Sequence, residues 1–364
     1  MSALTRLKQQ WNTQDGGLDA GAFDAQWLEK TIDIVNELYD EMGSLGTEFK
    51  AAVQDVKATE RFNPALKATW AAYFVAFLVS TGPVDQRTGF ANRVEYKNGA
   101  IEDYIDFIGT RFHEFIHAIQ HDKHPITHAV PINQKSVAIL LPTDYIRLKV
   151  LMELDAYSKE AWLMSKFYDA FEDEMDEAAL PWKVQLYRTI AAQDPARSDA
   201  LNMAMFAGTL LRHKQTTQNG EKVAYMDDYH TSALDQYLIS IQNWQHRTEQ
   251  AQEPEACMLT REDIIALGDT FGPNVFTAGR KDELVALFLE PPVLSAENKH
   301  KLGAVYEMFG IESEEDAQPE PLAQILSAKG MTMDAFMADS KSGIPAQLDE
   351  NGDYIRPNTR KLQP

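Results

Sequence analysis

The sequence predicts a mainly α-helical protein that includes a small β-sheet. Apolar side chains recur at steps of three and four residues along most of the chain, which is the period of a helix with one buried face. Period-two patterns and short apolar runs, which indicate strands, are confined to a few stretches. Apolar residues make up 44% and charged residues 24% of the 364 positions, so we expect a packed core rather than a disordered chain.

Two helices are predicted before residue 90. Apolar residues from Leu28 to Met42 follow helical steps, and this amphipathic helix should end near Gly43. A second helix is predicted over residues 66–80, because Pro64 is a helix-start signal and the run after it is densely apolar. Since its apolar part is too short to cross a bilayer, we expect a buried central helix and no membrane anchor.

The middle of the chain predicts two strands and two long helices. Residues 90–99 alternate with period two and end in an Asn-Gly turn, and the apolar run 137–141 is short enough for a second strand. Residues 101–122 predict a helix with apolar side chains at helical spacing. The segment 142–144, Pro-Thr-Asp, then begins a helix expected to reach about residue 172.

The C-terminal half predicts a further helical region. Helices are expected over residues 181–194, 198–217 and 229–247, a linker over 248–255, and another helix after the capping box that Thr260 begins. The resulting division is a domain at residues 1–178 that carries the chemistry described below, a helical extension at 179–250, a C-terminal helical region at 256–347 and a loose tail at 348–364.

Charge and cysteine content exclude several kinds of partner and site. The net charge of −21 would repel phosphates and anionic lipids, so neither nucleic acid nor a membrane is expected as a partner. Cys257 is the single cysteine, which excludes an intramolecular disulfide and a cysteine-based metal cage. The N-terminal residues lack the apolar core of a secretory signal, and a disulfide-free chain suits a reducing compartment, so we expect a cytoplasmic protein.

Residues 113–117, His-Glu-Phe-Ile-His, form the motif that carries chemistry. On a helix, His113 and His117 lie on one face, about 40° apart in rotation and one turn apart in rise, so their imidazoles can converge on one zinc ion. Glu114 is rotated about 100° from His113, which places it beside the ion, where it can take a proton from water. The alternative is a pair of solvated histidines on a surface helix.

The composition of the surrounding helix favours the zinc interpretation. One continuous apolar arc consists of Ile101, Ile105, Ile108, Phe112, Phe115, Ile116 and Ile119. The opposite face carries Asp106, Thr110, His113, Glu114, His117 and His121. A helix with this division of side chains packs its apolar face on the core and turns its histidines into a cleft.

A catalytic zinc ion needs a third protein ligand and one open position. Glu153 falls on a helical stripe that is otherwise formed by Ile146, Val150, Tyr157 and Met164. A carboxylate on an apolar stripe is costly unless a cation meets it, so we assign Glu153 as the third ligand. Asp155 points away from this stripe, needs no special partner and is the fallback ligand. The alternative for Glu153 is a surface carboxylate beside Glu160.

The motif His113-Glu-x-x-His117 with the downstream Glu153-Leu-Asp-Ala resembles the gluzincin branch of zinc metallopeptidases, including uncharacterised bacterial proteins with such a domain. The resemblance covers about residues 90–172 and implies a zincin-like catalytic core, in which the downstream helix donates the glutamate ligand. Two features depart from the pattern. Many members have Asp four residues after that glutamate, where this chain has Tyr157, and the gap of 36 residues between His117 and Glu153 is longer than in the thermolysin-like members.

Two further residues have expected roles near the metal. Tyr157, one turn after Glu153, is the candidate donor that would stabilise an oxyanion, and the alternative is a tyrosine at the edge of the core. His121 lies one turn beyond His117, too far along the axis to join the same metal, so we expect it to line the cleft; the alternative is a role in substrate or transition-state binding. The metzincin pattern is excluded, because the glycine that it requires after His117 is absent.

These residues together predict a zinc-dependent hydrolase, specifically a peptidase with a peptide or protein substrate. Zn²⁺ held by His113, His117 and Glu153 would polarise the scissile carbonyl and activate water, with Glu114 as general base and then general acid. The competing hypothesis is a zinc-containing binding or scaffold protein with a catalytically weak site. An open cleft over the metal would favour the enzyme, and a covered metal would favour the scaffold.

Overall fold

The chain divides into two compact units in the computed structural model. Unit 1 comprises Met1–Asp122 and Ala156–Phe206, and unit 2 comprises Lys123–Asp155 and Ala207–Pro364. The structure describes residues 1–12, 25–56, 58–62, 72–78, 90–97, 101–123, 129–133, 136–216, 220, 222–235, 237, 255–258, 260, 294–309, 320–321, 324, 327–328, 347–348 and 354–355.

The described residues are mainly α-helical, which confirms the predicted fold class. The labelled helices are α1 (Ala3–Asn12), α2 (Ala25–Glu41), α3 (Ser44–Asp55), α4 (Tyr104–Lys123), α5 (Pro142–Ala170), α6 (Trp182–Ala192), α7 (Asp199–Arg212) and α8 (Ala296–Phe309). The strands are β1 (Thr59–Phe62), β2 (Ala72–Leu78), β3 (Phe90–Tyr96), β4 (Ala129–Asn133), β5 (Ser136–Leu140), β6 (Lys214–Thr216), β7 (Lys222–Ala224), β8 (Glu255–Met258), β9 (Glu320–Pro321), β10 (Gln347–Leu348) and β11 (Tyr354–Ile355).

Most of the strongly periodic segments form the predicted element. The predicted helices near residues 28–42, 101–122, 142–172 and 181–194 are α2, α4, α5 and α6, and the two predicted strands are β3 and β5. The predicted helix over 229–247 is helical at residues 227–235, and its end lies outside the described residues. The linker predicted over 248–255 lies outside them up to residue 254, and Glu255 begins β8. The helix predicted after Thr260 also lies outside them. Among the described residues, no helix has the length and apolarity to cross a membrane.

The prediction of a buried helix over residues 66–80 is wrong. Residues 72–78 form β2, which pairs antiparallel with β3 from Ala72 opposite Tyr96 to Leu78 opposite Phe90. The strand β3 is central in the three-stranded sheet of unit 1, with β1 parallel on its other side. A short apolar run has no period that separates a strand from a buried helix, and its Val and aromatic residues suit a pleated surface.

Two other predicted boundaries change in unit 2. The helix predicted over 198–217 ends at Arg212 as α7, and β6 then pairs antiparallel with β7. Gly220, between those strands, has φ of 80°, a backbone conformation that glycine adopts without steric cost. The tail predicted to be loose contains one antiparallel pairing, β10 with β11. The larger sheet of this unit has the order β4-β5-β8-β9.

An ion pair inside unit 1 joins α4 to the sheet. Arg111 is 1% exposed, and its Nε and Nη2 donate to the two carboxylate oxygens of Glu60 at 3.0 and 2.9 Å. Its Nη1 donates to the Tyr39 hydroxyl at 2.8 Å, and the Tyr96 hydroxyl donates to Glu60 at 2.6 Å. The network therefore links α2, β1, β3 and α4 through paired polar groups in a dry interior.

The charges of this network depend on one another. Burial by itself would lower the pKa of Arg111, but the adjacent Glu60 carboxylate raises it well above the ordinary value. Burial raises the pKa of Tyr39, and burial together with the charge of Glu60 raises that of Tyr96 far above its ordinary value. The network thus consists of one cation, one anion and two neutral hydroxyls at physiological pH.

A second buried polar cluster lies in unit 2. Asn298 is fully buried and its Nδ2 donates to Asp227 Oδ1 at 3.1 Å, while the backbone N–H of Ser295 donates to the same oxygen at 3.2 Å. His230 is 5% exposed, and its Nδ1 lies 3.7 Å from Asp227 Oδ1 without a hydrogen bond from the described part of the chain. Burial lowers the pKa of His230, and the charge of Asp227 offsets this only in part.

We expect removal of the Glu60 carboxylate to destabilise the protein strongly. In Glu60→Ala the buried guanidinium of Arg111 loses its anion, which should lower the free energy of unfolding by about 3–5 kcal/mol. The measurement is denaturant-induced unfolding. The control is Asp40→Ala, which removes a half-exposed carboxylate paired with Lys50 and should cost about 0–1 kcal/mol. Similar small losses for both variants would contradict the importance of the buried pair.

We expect His230 to make stability depend on pH. Because its folded pKa is lowered, the unfolded state binds more protons, so its contribution is complete above the unfolded pKa of about 6.5 and is lost as pH falls. The free energy of unfolding should therefore fall less between pH 7.5 and 5.5 in His230→Gln than in the wild type. His300→Gln, at an exposed position of α8, is the control. Equal pH dependence in the wild type and His230→Gln would contradict the assignment.

Candidate metal centre

The helix α4 brings the two motif histidines together. The Nε2 atoms of His113 and His117 lie 3.0 Å apart, and their rings meet edge to face with centroids 4.7 Å apart. On α5, Glu153 supplies a carboxylate oxygen, and the three potential ligand atoms all lie within 4.8 Å of one another. The three residues predicted as ligands therefore form one group in the structure.

Both ligand histidines are oriented through their other ring nitrogen. His113 Nδ1 lies 3.0 Å from Glu160 Oε2, and His117 Nδ1 lies 2.8 Å from Gln120 Oε1. Because carboxylate and amide oxygens only accept hydrogen bonds, each Nδ1 must carry the donated proton. In the neutral imidazoles, the lone pairs are then on the two Nε2 atoms, which is the tautomer that binds a metal.

This arrangement fits a zinc ion chemically. The two Nε2 atoms face each other at 3.0 Å, a contact that either a proton on one of them or a metal cation between them stabilises. Nitrogen ligands of a tetrahedral zinc ion are separated by about 3.4 Å, since each Zn–N distance is about 2.0–2.1 Å. Two imidazoles and one carboxylate also form the donor set of many catalytic zinc sites, in which the fourth position stays open. Small side-chain shifts would complete the geometry.

A third helix contributes to the surroundings of His113. Lys183, the second residue of α6, places its Nζ 3.9 Å from Glu160 Oε2 and 3.7 Å from the centroid of the Tyr157 ring. The Tyr157 ring in turn packs on His113, with the ring centroids 4.5 Å apart. Glu160 and Tyr157 are at most 9% exposed, so these contacts are largely shielded from water.

The polar face predicted for α4 is partly buried. His113 is 9% and Glu114 7% exposed, and the helix is also buried at Arg111, on the side away from the histidines. His117 and Glu153 are half-buried, so the accessible part of the ligand group lies with them. The sequence pattern shows which side chains of α4 are polar. It does not show that charged side chains from α5, α6 and β1 contact those polar side chains, so it did not predict their burial.

The remaining predicted residues have the following positions. Asp155, the fallback ligand, is 1% exposed and belongs to no group of potential ligands among the described residues. His121 is part of α4, and its side chain lies outside the described ones. Glu114 lies beside His113 in α4, as the motif requires, and Tyr157 follows Glu153 by one helical turn.

The motif did not identify Glu160, Gln120 and Lys183. Glu160 follows Glu153 by seven positions, two helical turns, so it shares the stripe and takes the orienting position that Asp would hold at residue 157 in the gluzincin pattern. Gln120 is three positions after His117, which is also a helical neighbour spacing. Both could have been found from spacing. No local pattern connects Lys183 to the site, because it reaches Glu160 only through the packing of α6.

No protein-family model, curated protein or solved structure matches the chain. The chemistry of the site therefore rests on its own residues, which are the histidine pair, the carboxylate of Glu153 and the hydrogen bonds that orient both imidazoles.

Proposed function

We propose that this protein is a zinc-dependent hydrolase that cleaves peptide bonds. The proposal depends on one observation, the grouping of His113, His117 and Glu153 with the motif glutamate Glu114 adjacent to the first histidine. The ligand set supports zinc because it matches the two-histidine, one-glutamate sites of gluzincin-like peptidases. The general similarity of the motif to that branch supports peptides as the substrate class.

The residues divide the chemical work between them. When bound, zinc supplies a Lewis acid that polarises a carbonyl group and makes water more acidic. Glu114, almost fully buried, would accept the proton from the attacking water and pass it to the departing amine. A buried carboxylate is well suited to this exchange, because exclusion of solvent strengthens its interaction with a proton. Tyr157, packed on His113, is the candidate donor for the oxyanion.

The burial of the site favours a second candidate function, a zinc-holding scaffold with little turnover. His113 and Glu114 are both less than one-tenth exposed, and a covered metal is typical of structural zinc sites. The half-buried positions of His117 and Glu153 favour the enzyme instead, because they leave one side of the ligand group accessible. Turnover of peptide substrates distinguishes the two candidates, since both require the same metal.

We expect the purified protein to contain one zinc ion, and His117→Ala to lose it. Glu153→Gln should also weaken zinc binding, because it replaces a charged ligand with a neutral amide. The measurement is elemental analysis for zinc, iron and manganese after reconstitution and removal of excess metal. Iron in place of zinc would contradict the zinc assignment, since two histidines and a carboxylate also hold non-haem iron.

The control for Glu153 is Asp155→Asn. This change removes a carboxylate from the same helix with almost no change of shape, and it should leave zinc content unchanged. Loss of zinc in Asp155→Asn with retention in Glu153→Gln would overturn the assignment of the third ligand. Circular dichroism of each variant separates loss of a ligand from loss of the fold.

We expect Glu114→Gln to retain zinc and the fold while losing hydrolysis. Glu114 is proposed to move a proton and not to bind the metal, so kcat/KM on a peptide library should fall by about 100- to 10,000-fold. Zinc content should equal that of the wild type. Wild-type protein that holds zinc but cleaves no peptide would favour the scaffold, and Glu114→Gln protein without zinc would show that Glu114 has been misassigned.

A further inference from the structure

We propose that Lys183 is a counter-cation of the metal centre, whose charge offsets that of Glu160 and lowers the affinity of the centre for zinc. The inference rests on the proposed metal site. Lys183 acts through its charge: its Nζ lies 3.9 Å from Glu160 Oε2, the same oxygen that lies 3.0 Å from His113 Nδ1.

The contacts of Lys183 point to an electrostatic role. The Lys183 side chain is only 17% exposed, whereas lysine side chains usually lie in solvent. The ammonium group lies 3.7 Å from the centroid of Tyr157, a distance at which the face of an aromatic ring attracts a cation. Lys183 is thus held by a carboxylate and an aromatic face, both of which are carried by α5.

The charge balance explains why such a cation is useful. The helix α5 brings the carboxylates of Glu153 and Glu160 to the neighbourhood of the histidine pair. Without a metal these buried or half-buried negative charges repel one another, and an unpaired buried carboxylate is costly. Lys183 supplies one positive charge to Glu160, the carboxylate that orients His113. The hydrogen bond to His113 can therefore form before any metal arrives.

The same charge must oppose the metal. Lys183 and Zn²⁺ are both attracted by the negative field of the site and repel each other, so removal of Lys183 should strengthen zinc binding. Removal of Glu160 should weaken it, because the orienting partner of a ligand histidine is lost. Opposite changes in affinity are the signature of the proposed role. A lysine that only supports packing would weaken zinc binding when removed, as Glu160 does.

The test is the zinc dissociation constant of full-length protein, measured by competition with a chromophoric chelator at fixed pH and ionic strength. Glu160→Gln should bind zinc about 10- to 100-fold more weakly than the wild type. Lys183→Met should bind it at least about tenfold more tightly, because a positive charge that repels the ion is removed. Lys183→Arg, which retains the positive charge, should bind zinc with the affinity of the wild type.

Lys166→Met is the matched control. It removes the same charge from the same unit, at an exposed side chain 3.5 Å from Asp199, and should change the dissociation constant less than about twofold. Lys183→Gln, which keeps a polar group at the position, tests the proposal if Lys183→Met does not fold. In both variants the metal-free protein should melt at a lower temperature than the wild type, and zinc should raise that temperature more.

The possible outcomes distinguish failure of the Lys183 proposal from failure of the proposed function. If the wild type binds no zinc, the metal centre and the role of Lys183 both fail. If the wild type binds zinc but the Lys183 variants bind it equally or more weakly, the counter-cation role is overturned and the proposed function stands. Lys183 variants that stay unfolded with zinc would also overturn it, because they would show that the residue serves the fold alone.

Discussion

The buried ion pair between Arg111 and Glu60 is the constraint on which the position of α4 depends. A guanidinium in a dry interior is tolerated only with its hydrogen bonds and its charge matched, and Glu60 supplies both. Since Glu60 lies on β1, the strand cannot slide relative to α4 without leaving a buried charge unpaired. His113 is two positions after Arg111, about 200° around the helix, so the ion pair anchors the side of α4 opposite this candidate metal ligand.

On the ligand side of α4, the important feature is preorganisation. Each imidazole is oriented by an acceptor at Nδ1, so neither ring has to lose much rotational freedom when a cation arrives. Glu160 occupies a position two turns after Glu153, whereas the gluzincin pattern would place Asp one turn after it. Tyr157 at that intermediate position packs on His113 instead, which gives this site an aromatic wall where the resemblance predicts a carboxylate.

The burial of the site is compatible with both candidate functions, a structural metal site and a catalytic one. Excluding water strengthens every charge interaction around His113, which suits either a tightly held structural ion or a catalytic base. The difference lies in access for a substrate. His117 and Glu153 keep part of their surface exposed, so the open coordination position of a catalytic zinc ion would face their side of the ligand group.

The sequence by itself determined the helical class, the extents of α2, α4, α5 and α6, and the spacing that brings His113 and His117 to one helix face. These features depend on interactions within about four residues, which a linear pattern records. The tertiary structure alone decided that residues 72–78 form a strand, because that choice depends on pairing with β3. It also decided that Arg111, which is buried, and Lys183, which is half-buried, lie beside carboxylates. A charged residue is tolerated in or near the interior only where another element supplies its partner, and no local sequence period records that contact.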